Sequence, residues 1–284
     1  METWMRTRTF YYCFGIIAFL LCLNGFAYDA GPTGEFRIIS YNVKGLPVPF
    51  RLKHKELPLI AKSITSYSAD VICFQETFTK RAHVLKEMPE YPYVVEGPFK
   101  KGKVINSGLM IVSKYPITQI ATHVFNKCSG ADCFASKGVV VATIKHPTLG
   151  EIDVFNTHLN AGKNNKVKWS QWGQLLQFVK DHIQVGRLAL FAGDFNTDTG
   201  SEYLRYITTE GTLKNTHTDY VERHPELSQK EKAGNTFPGR KIDYVFTLGH
   251  TEAETELSKI IYDGSHDGNR FSDHYALMVD LNFH

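Results

Sequence analysis

The chain has 284 residues, 43% of them hydrophobic and 13% aromatic, and a formal net charge of +3. That length and apolar content suit one large core, not a disordered chain or a very small domain. The modest charge excludes the strongly basic footprint of a protein held to nucleic acid by phosphate contacts alone, although a bound metal would remove the need for one.

Arg6 and Arg8 precede an apolar run from Phe10 to Leu23, and Gly25 and Ala27 put small residues at minus three and minus one of a cut after Ala27. This is the layout of a secretory signal peptide. The run is about 14 residues long, short of the ~20 that span a bilayer. Leu21 stands before Cys22 where lipoprotein processing wants a small residue. We therefore expect 1–27 to be a cleaved signal peptide and 28–284 a single domain, secreted or periplasmic. Loss of Glu2, Arg6 and Arg8 leaves a charge of +2, and no linker or repeat divides the remainder.

Strand-like runs follow at 36–41, 71–74, 108–112, 117–125, 138–144, 152–157, 188–192, 242–247, 258–262 and 275–281. Several are apolar at nearly every residue, which demands cover on both faces. Helical spacing appears at 57–66, 81–88, 167–184 and 201–208. In the longest of these, Trp169, Trp172, Leu175, Leu176 and Val179 fall three and four apart and make one apolar face, with the tryptophans read as core. Strands occur in adjacent runs as well as alternating with helices, which predicts two packed sheets with helices outside. The polar stretch 211–241 reads as a long loop.

Of five cysteines, Cys13 and Cys22 leave with the signal, and Cys73 lies inside an apolar run as a buried thiol. Cys128 and Cys133 flank the turn-forming Ser129-Gly130-Ala131-Asp132, and in an exported protein they are expected to form a disulfide. No second Cys or His pair lies at zinc-site spacing, which disfavours metal binding by the pair.

The chemistry-bearing residues close or open the apolar runs. Asn42 follows 37–41, Glu76 follows 71–75, His158 follows 154–157, and Asp194 and Asn196 follow 188–193; Asp243 opens 242–246 and Asp273-His274 precede 275–279. Glu76 has no basic residue after it until Lys80, so a carboxylate buried there calls for a divalent cation, and Mg²⁺ takes one or two carboxylates plus water and phosphate oxygens. Asn42 offers a neutral oxygen to the same ion. In extended chain Asp194 and Asn196 would point the same way and converge on one spot. Asp273 and His274 would face opposite ways, which assigns Asp273 to the metal side and leaves Asp243 to orient His274. His158 supplies a second imidazole, as a donor to a phosphate.

The ordered set Asn42, Gln75-Glu76, Asn156-Thr157-His158-Leu159, Gly193-Asp194-Phe195-Asn196, Ile242-Asp243-Tyr244 and Ser272-Asp273-His274 resembles the endonuclease/exonuclease/phosphatase superfamily, the fold of DNase I and neutral sphingomyelinases. The resemblance implies a four-layer α/β/β/α sandwich and Mg²⁺-dependent phosphoester hydrolysis over 28–284. Glu76-Thr77-Phe78, Ser136-Lys137-Gly138-Val139, the Cys128 to Cys133 stretch and 108–117 are similar to secreted bacterial sphingomyelinases. That branch implies hydrolysis of sphingomyelin to ceramide and phosphocholine.

On this reading Glu76, Asn42 and Asp273 hold or position the metal, and His274, oriented by Asp243, activates water. His158 and Asn196 stabilise phosphoryl oxygens, while Asp194 assists at the metal, the phosphate or the proton transfer. Phe78 packs on the choline end and Lys137 orients substrate. The expected partner is a phospholipid membrane surface carrying sphingomyelin, with no nucleic acid or protein partner and a monomeric chain. A DNase I-like nuclease, a phospholipid phosphatase and a non-catalytic membrane-binding module are the alternatives. One departure stands out: bacterial sphingomyelinases carry an apolar, aromatic hairpin shortly before the last Ser-Asp-His, whereas 262–271 is short and polar here, with Tyr262 and Phe271 as its aromatics. Interfacial binding would then use another surface or be weaker.

Overall fold

The computed structural model describes residues 34–47, 55–162, 164–184, 186–210, 213–248, 253–265 and 268–283, so the expected signal peptide at 1–27 lies outside the described residues. In chain order the strands are β1 (Gly34–Asn42), β2 (Val71–Gln75), β3 (Tyr93–Glu96), β4 (Met110–Ser113), β5 (Ile117–Val124), β6 (Gly138–His146), β7 (Gly150–His158), β8 (Leu188–Asp194), β9 (Leu213–Asn215), β10 (Asp243–Leu248), β11 (Ala253–Ile261) and β12 (Ala276–Phe283). The α-helices are α1 (Glu56–Ile64), α2 (Asn165–His182), α3 (Glu202–Arg205), α4 (Thr216–Arg223) and α5 (Gln229–Ala233). Among the described residues, no helix is long and apolar enough to cross a membrane.

The strands form two six-stranded sheets, ordered β11-β12-β1-β2-β4-β3 and β5-β6-β7-β8-β10-β9. Alternation along each strand sends one set of side chains between the sheets and the other outward. Phe36, Ile38, Val71, Cys73, Val279 and Leu281 meet Val140, Ala142, Ile152, Val154, Leu190 and Val245 in the central core. The outward set of the first sheet, including Ile39, Tyr41, Ile72 and Phe74, packs under Leu57, Ile60, Ala61 and Ile64 of α1. On the second sheet Phe155, Phe191 and Phe246 pack under Trp172, Leu175, Phe178 and Val179 of α2. The result is the expected four-layer α/β/β/α sandwich, and burial on both faces is why these strands read as nearly continuous apolar runs.

Each sheet has one parallel pair at its centre, β1 with β2 and β7 with β8, while the neighbouring pairs are antiparallel. Parallel strands end together, and antiparallel neighbours begin where they end. Hence the C-terminal ends of β1, β2, β7 and β8 and the N-terminal ends of β10 and β12 share one edge of the sandwich.

Some local expectations are corrected. The stretch expected as a helix at 81–88 is a 3₁₀ helix, Lys80–Lys86, and the helix expected at 201–208 stops after one α-turn and continues as π-helix at Tyr206–Glu210. The segment 211–241 is no long loop, since it carries β9, α4 and α5. Its helices are set by caps more than by apolar spacing. Asn215 accepts from the backbone of His217 and Thr218, and Ser228 with Glu231 forms a capping box closed by left-handed Gly234.

Candidate active site

The site grows out of the alternation that builds the core. Along the inward face, apolar positions give way to a polar layer and then to the mouth. Phe36 and Ile38 lead to Ser40 and Asn42, Val71 and Cys73 to Gln75, Ile152 and Val154 to Asn156 and His158, and Leu190 and Ala192 to Asp194. Gln75 Nε2 donates to Asn156 Oδ1 at 2.9 Å and to Ser40 Oγ at 3.2 Å, and Asn156 Nδ2 donates to the Phe74 and Met110 carbonyls at 2.9 and 3.0 Å. This fully buried layer ties the two sheets together beneath the mouth. Above it His158 is the register partner of Asp194, and Asp194 of Asp243, so three functional side chains form a row across β7, β8 and β10.

Asp194 is the centre of the mouth. Its Oδ2 accepts from Asn42 Nδ2 at 3.0 Å and lies 3.3 Å from His158 Nε2 and 3.7 Å from His274 Nε2, while its Oδ1 accepts from the Asn196 backbone at 2.9 Å. Burial opposes ionisation of this carboxyl, yet His158, His274 and Lys137 hold it below the usual carboxylate range. It is therefore an anion and not an acid. His274 Nδ1 lies 2.9 and 3.2 Å from the two Asp243 oxygens, which places the proton of that nitrogen towards the carboxylate and leaves Nε2 facing Asp194. Burial lowers the affinity of His274 for its proton, but Asp243 and Asp194 outweigh it and raise the pKa to about 10. Burial raises the pKa of Asp243, with His274 opposing.

The remaining expected residues fall into place around this row with some differences. Glu76 turns away from the end of β2 at φ +59°, and its Oε1 accepts from Asn42 Nδ2 at 3.2 Å. Asn196 does not continue an extended strand beside Asp194. It is left-handed, at φ +48°, its backbone closes an Asx turn on Asp194, and its side chain donates to the Leu159 carbonyl at 3.1 Å. Lys137 is buried, donates to the same carbonyl at 3.2 Å and pairs with Asp132 at 3.2 Å. Asp273 is ion-paired with Lys44. The half-buried Phe78 lies against Gly108, where a Cβ would meet its ring at 2.5 Å. Cys128 and Cys133 are joined in a disulfide.

Sequence reading missed several supports. Thr236 accepts from the backbones of Ile242 and Asp243 through its hydroxyl and from Tyr275 through its carbonyl, pinning both halves of the Asp243–His274 pair. Lys44 restrains Asp273, and Lys168 holds the Asn196 carbonyl. Buried Lys241, 5.6 Å above the Tyr244 ring, has its pKa pushed down to about 7 by burial, against the pull of Asp243. Lys44, two residues after Asn42, and Lys241, two before Asp243, lie close in sequence to site residues, whereas Thr236 and Lys168 do not.

Two oxygen-rich groupings bear on a metal. Donor atoms of Asp194, Asp243 and His274 lie within 4.8 Å of one another, but both Asp243 oxygens already face His274 Nδ1. Glu76 is better suited: among the described residues it forms no ion pair, and it accepts from the neutral Asn42 amide. A half-buried carboxylate beside an amide, at the lip of a mouth already holding anionic Asp194, fits a hard divalent cation.

The Endonuclease/Exonuclease/phosphatase family matches residues 39–274, and the chain belongs to that family. It is thereby a phosphoester hydrolase by class. Among curated relatives it is 25% identical to a "Putative neutral sphingomyelinase" of Drosophila melanogaster over 87% of this chain and 60% of that protein. It is 24% identical to a "Phospholipase C" of Staphylococcus aureus over 86% of this chain and 87% of that one. Among solved structures, a Staphylococcus aureus beta toxin variant with bound magnesium ions superposes with a TM-score of 0.64 at 21% identity, covering 87% of this chain and 99% of that chain.

Proposed function

We propose that this protein is an exported, Mg²⁺-dependent sphingomyelin phosphodiesterase. The observation that carries the reading is the buried Asp243–His274–Asp194 row closed by His158 and Asn42; the relatives named as sphingomyelinase and phospholipase C support the substrate. Water adds to phosphorus, the bond from phosphorus to the ceramide oxygen breaks, that oxygen takes up a proton from solvent, and ceramide and phosphocholine leave. His274 Nε2 takes the proton from water, and Asp243 stabilises the resulting imidazolium. Asp194 serves as the anion that holds His158, His274 and Asn42 in register. His158 and Asn196 donate towards the phosphoryl oxygens.

Glu76 would hold the metal with Asn42, whose Oδ1 also accepts from the Lys44 backbone at 3.0 Å, and Asp273, paired with Lys44 through Oδ2, would join or position the ion. A divalent cation bound there would supply positive charge towards the phosphoryl and leaving oxygens and would favour the neutral form of the nearby His274. Phe78 would face the choline end and Lys137 would help align the substrate, both on the rim formed by 77–78, 108 and 136–137.

The test is an assay of purified protein on sphingomyelin vesicles, phosphatidylcholine vesicles and plasmid DNA, each with Mg²⁺ or EDTA. We expect phosphocholine release from sphingomyelin with Mg²⁺ alone. DNA nicking without phosphocholine release would overturn the substrate, and full activity in EDTA would remove the metal.

A further inference from the structure

Three of the six large hydrophobic side chains exposed among the described residues, Phe99, Val104 and Phe134, belong to two segments that pair with each other. The first, 98–107, is a closed loop whose base is Ser107 N to the Pro98 carbonyl at 3.0 Å and whose tip turns at left-handed Gly102. The second is the disulfide loop ending in Phe134. Val104 N and Ile105 N both donate to the Phe134 carbonyl, at 3.0 and 3.1 Å, Lys100 N donates to Ser136 Oγ at 3.1 Å, and Lys103 Nζ donates to the Cys133 carbonyl at 2.7 Å. Lys100 and Lys101 are exposed on the first segment, and Lys127 is exposed immediately before the second.

This knob stands on the mouth. Thr77, next to Glu76, hydrogen-bonds the Gly108 carbonyl at 2.9 Å. The disulfide loop is strapped to the chain just after His158, by Ser129 N to Asn160 Oδ1 at 2.8 Å and Ala161 N to Asp132 Oδ2 at 2.6 Å. Among its described residues, the segment before Ser272 offers no such display. Tyr262 is buried, its ring 5.6 Å from Tyr41 and 5.0 Å from Phe271, which packs against the core. Exposed aromatic and aliphatic tips ringed by lysines suit a lipid headgroup region, where rings enter the interface and ammonium groups meet phosphates. The disulfide and the hydrogen bonds between the segments hold the backbone that presents them, which lowers the ordering cost of binding.

We propose that the paired segments 98–107 and 128–136 form the membrane-docking surface, seating Phe99, Val104 and Phe134 in the headgroup region and bringing the mouth down on its lipid. This rests on the proposed function and names the surface that serves it. The test measures wild type and the triple variant Phe99→Ser/Val104→Ser/Phe134→Ser in two ways: by sedimentation with vesicles of phosphatidylcholine and sphingomyelin, with or without phosphatidylserine, and by hydrolysis of those vesicles and of a short-chain sphingomyelin dissolved as monomer.

The triple variant should lose about tenfold or more in vesicle binding and vesicle hydrolysis while staying within about twofold of wild type on the dissolved substrate. Lys100→Glu/Lys101→Glu should abolish the gain from phosphatidylserine. Unchanged vesicle binding by the triple variant would overturn the surface and leave it to a protein partner; equal losses on vesicles and dissolved substrate would overturn it too. Absence of phosphocholine release by wild type from either substrate would instead overturn the proposed function, with sedimentation still reporting on the surface.

Discussion

Asp194 draws together the side chains of Asn42, His158 and His274, from three separate parts of the chain, and the backbone of Asn196, and the chemistry of each depends on its staying charged. The base is the residue whose loss isolates the proton transfer. His274→Ala should lower kcat by about 10² to 10⁴ with an unchanged circular dichroism spectrum. Asp243→Asn removes the charge that most strongly raises the His274 pKa. It should therefore slow the reaction and move the acid limb of the pH–rate profile to lower pH, whereas a purely structural Asp243 would leave that limb in place. Asn42, Glu76, His158, Asp194, Asp243 and His274 were legible because an apolar run meeting a polar residue is visible in one dimension. The pairing of Lys44 with Asp273, 229 positions apart, was not, since nothing local to either residue announces the other. The Asn196 side chain was misplaced for a local reason: extension was assumed where an Asx turn stops the strand.

The strand-end turns are where the elements spend conformational energy on the site. Lys44, Glu76 and Asn196 are all left-handed, one after each of β1, β2 and β8, and non-glycine residues seldom take that conformation without surrounding constraint. Gly108 shows the same economy on the rim, at φ +69° with the Phe78 ring in the space a side chain would fill. Gly108→Ala should cost about 1–2 kcal/mol in strain and displace Phe78. We expect a lower melting temperature and a raised KM with kcat less affected, measured on dissolved substrate. Long strands and α2 were legible from periodicity. Short edge strands such as Tyr93–Glu96 and Leu213–Asn215 have too few residues to show a period, and α4 and α5 declare themselves through caps instead.

At the scale of the whole molecule, an acid-sensitive joint lies away from the mouth. His217 is buried where α4 meets β11, with Nε2 3.1 Å from the Lys232 carbonyl and Nδ1 2.9 Å from Ser258 Oγ. Since a carbonyl only accepts, Nε2 carries the proton and Nδ1 accepts from the serine. Burial, and to a lesser degree Lys241, pushes its pKa from 6.5 down to about 4. Between those values the unfolded chain binds the extra proton and the folded chain does not. The neutral histidine's contribution is thus complete above pH 6.5 and declines as pH falls towards 4, by about 3 kcal/mol. Urea titrations should show this decline, and His217→Gln, less stable at neutral pH, should show a flatter dependence across the same window.

The amino-acid sequence alone determined which residues could do phosphoester chemistry and, through near-continuous apolar runs ending in polar residues, that two buried sheets would carry them. Those are properties of neighbouring residues along one strand. Tertiary structure alone decided that the ends of β1, β2, β7 and β8 and the starts of β10 and β12 share one edge, that Asp194 is their common anion, and that Phe99, Val104 and Phe134 stand exposed beside them. These depend on strand order, register and burial between segments far apart in the chain, where the forces that matter are set by what packs against what.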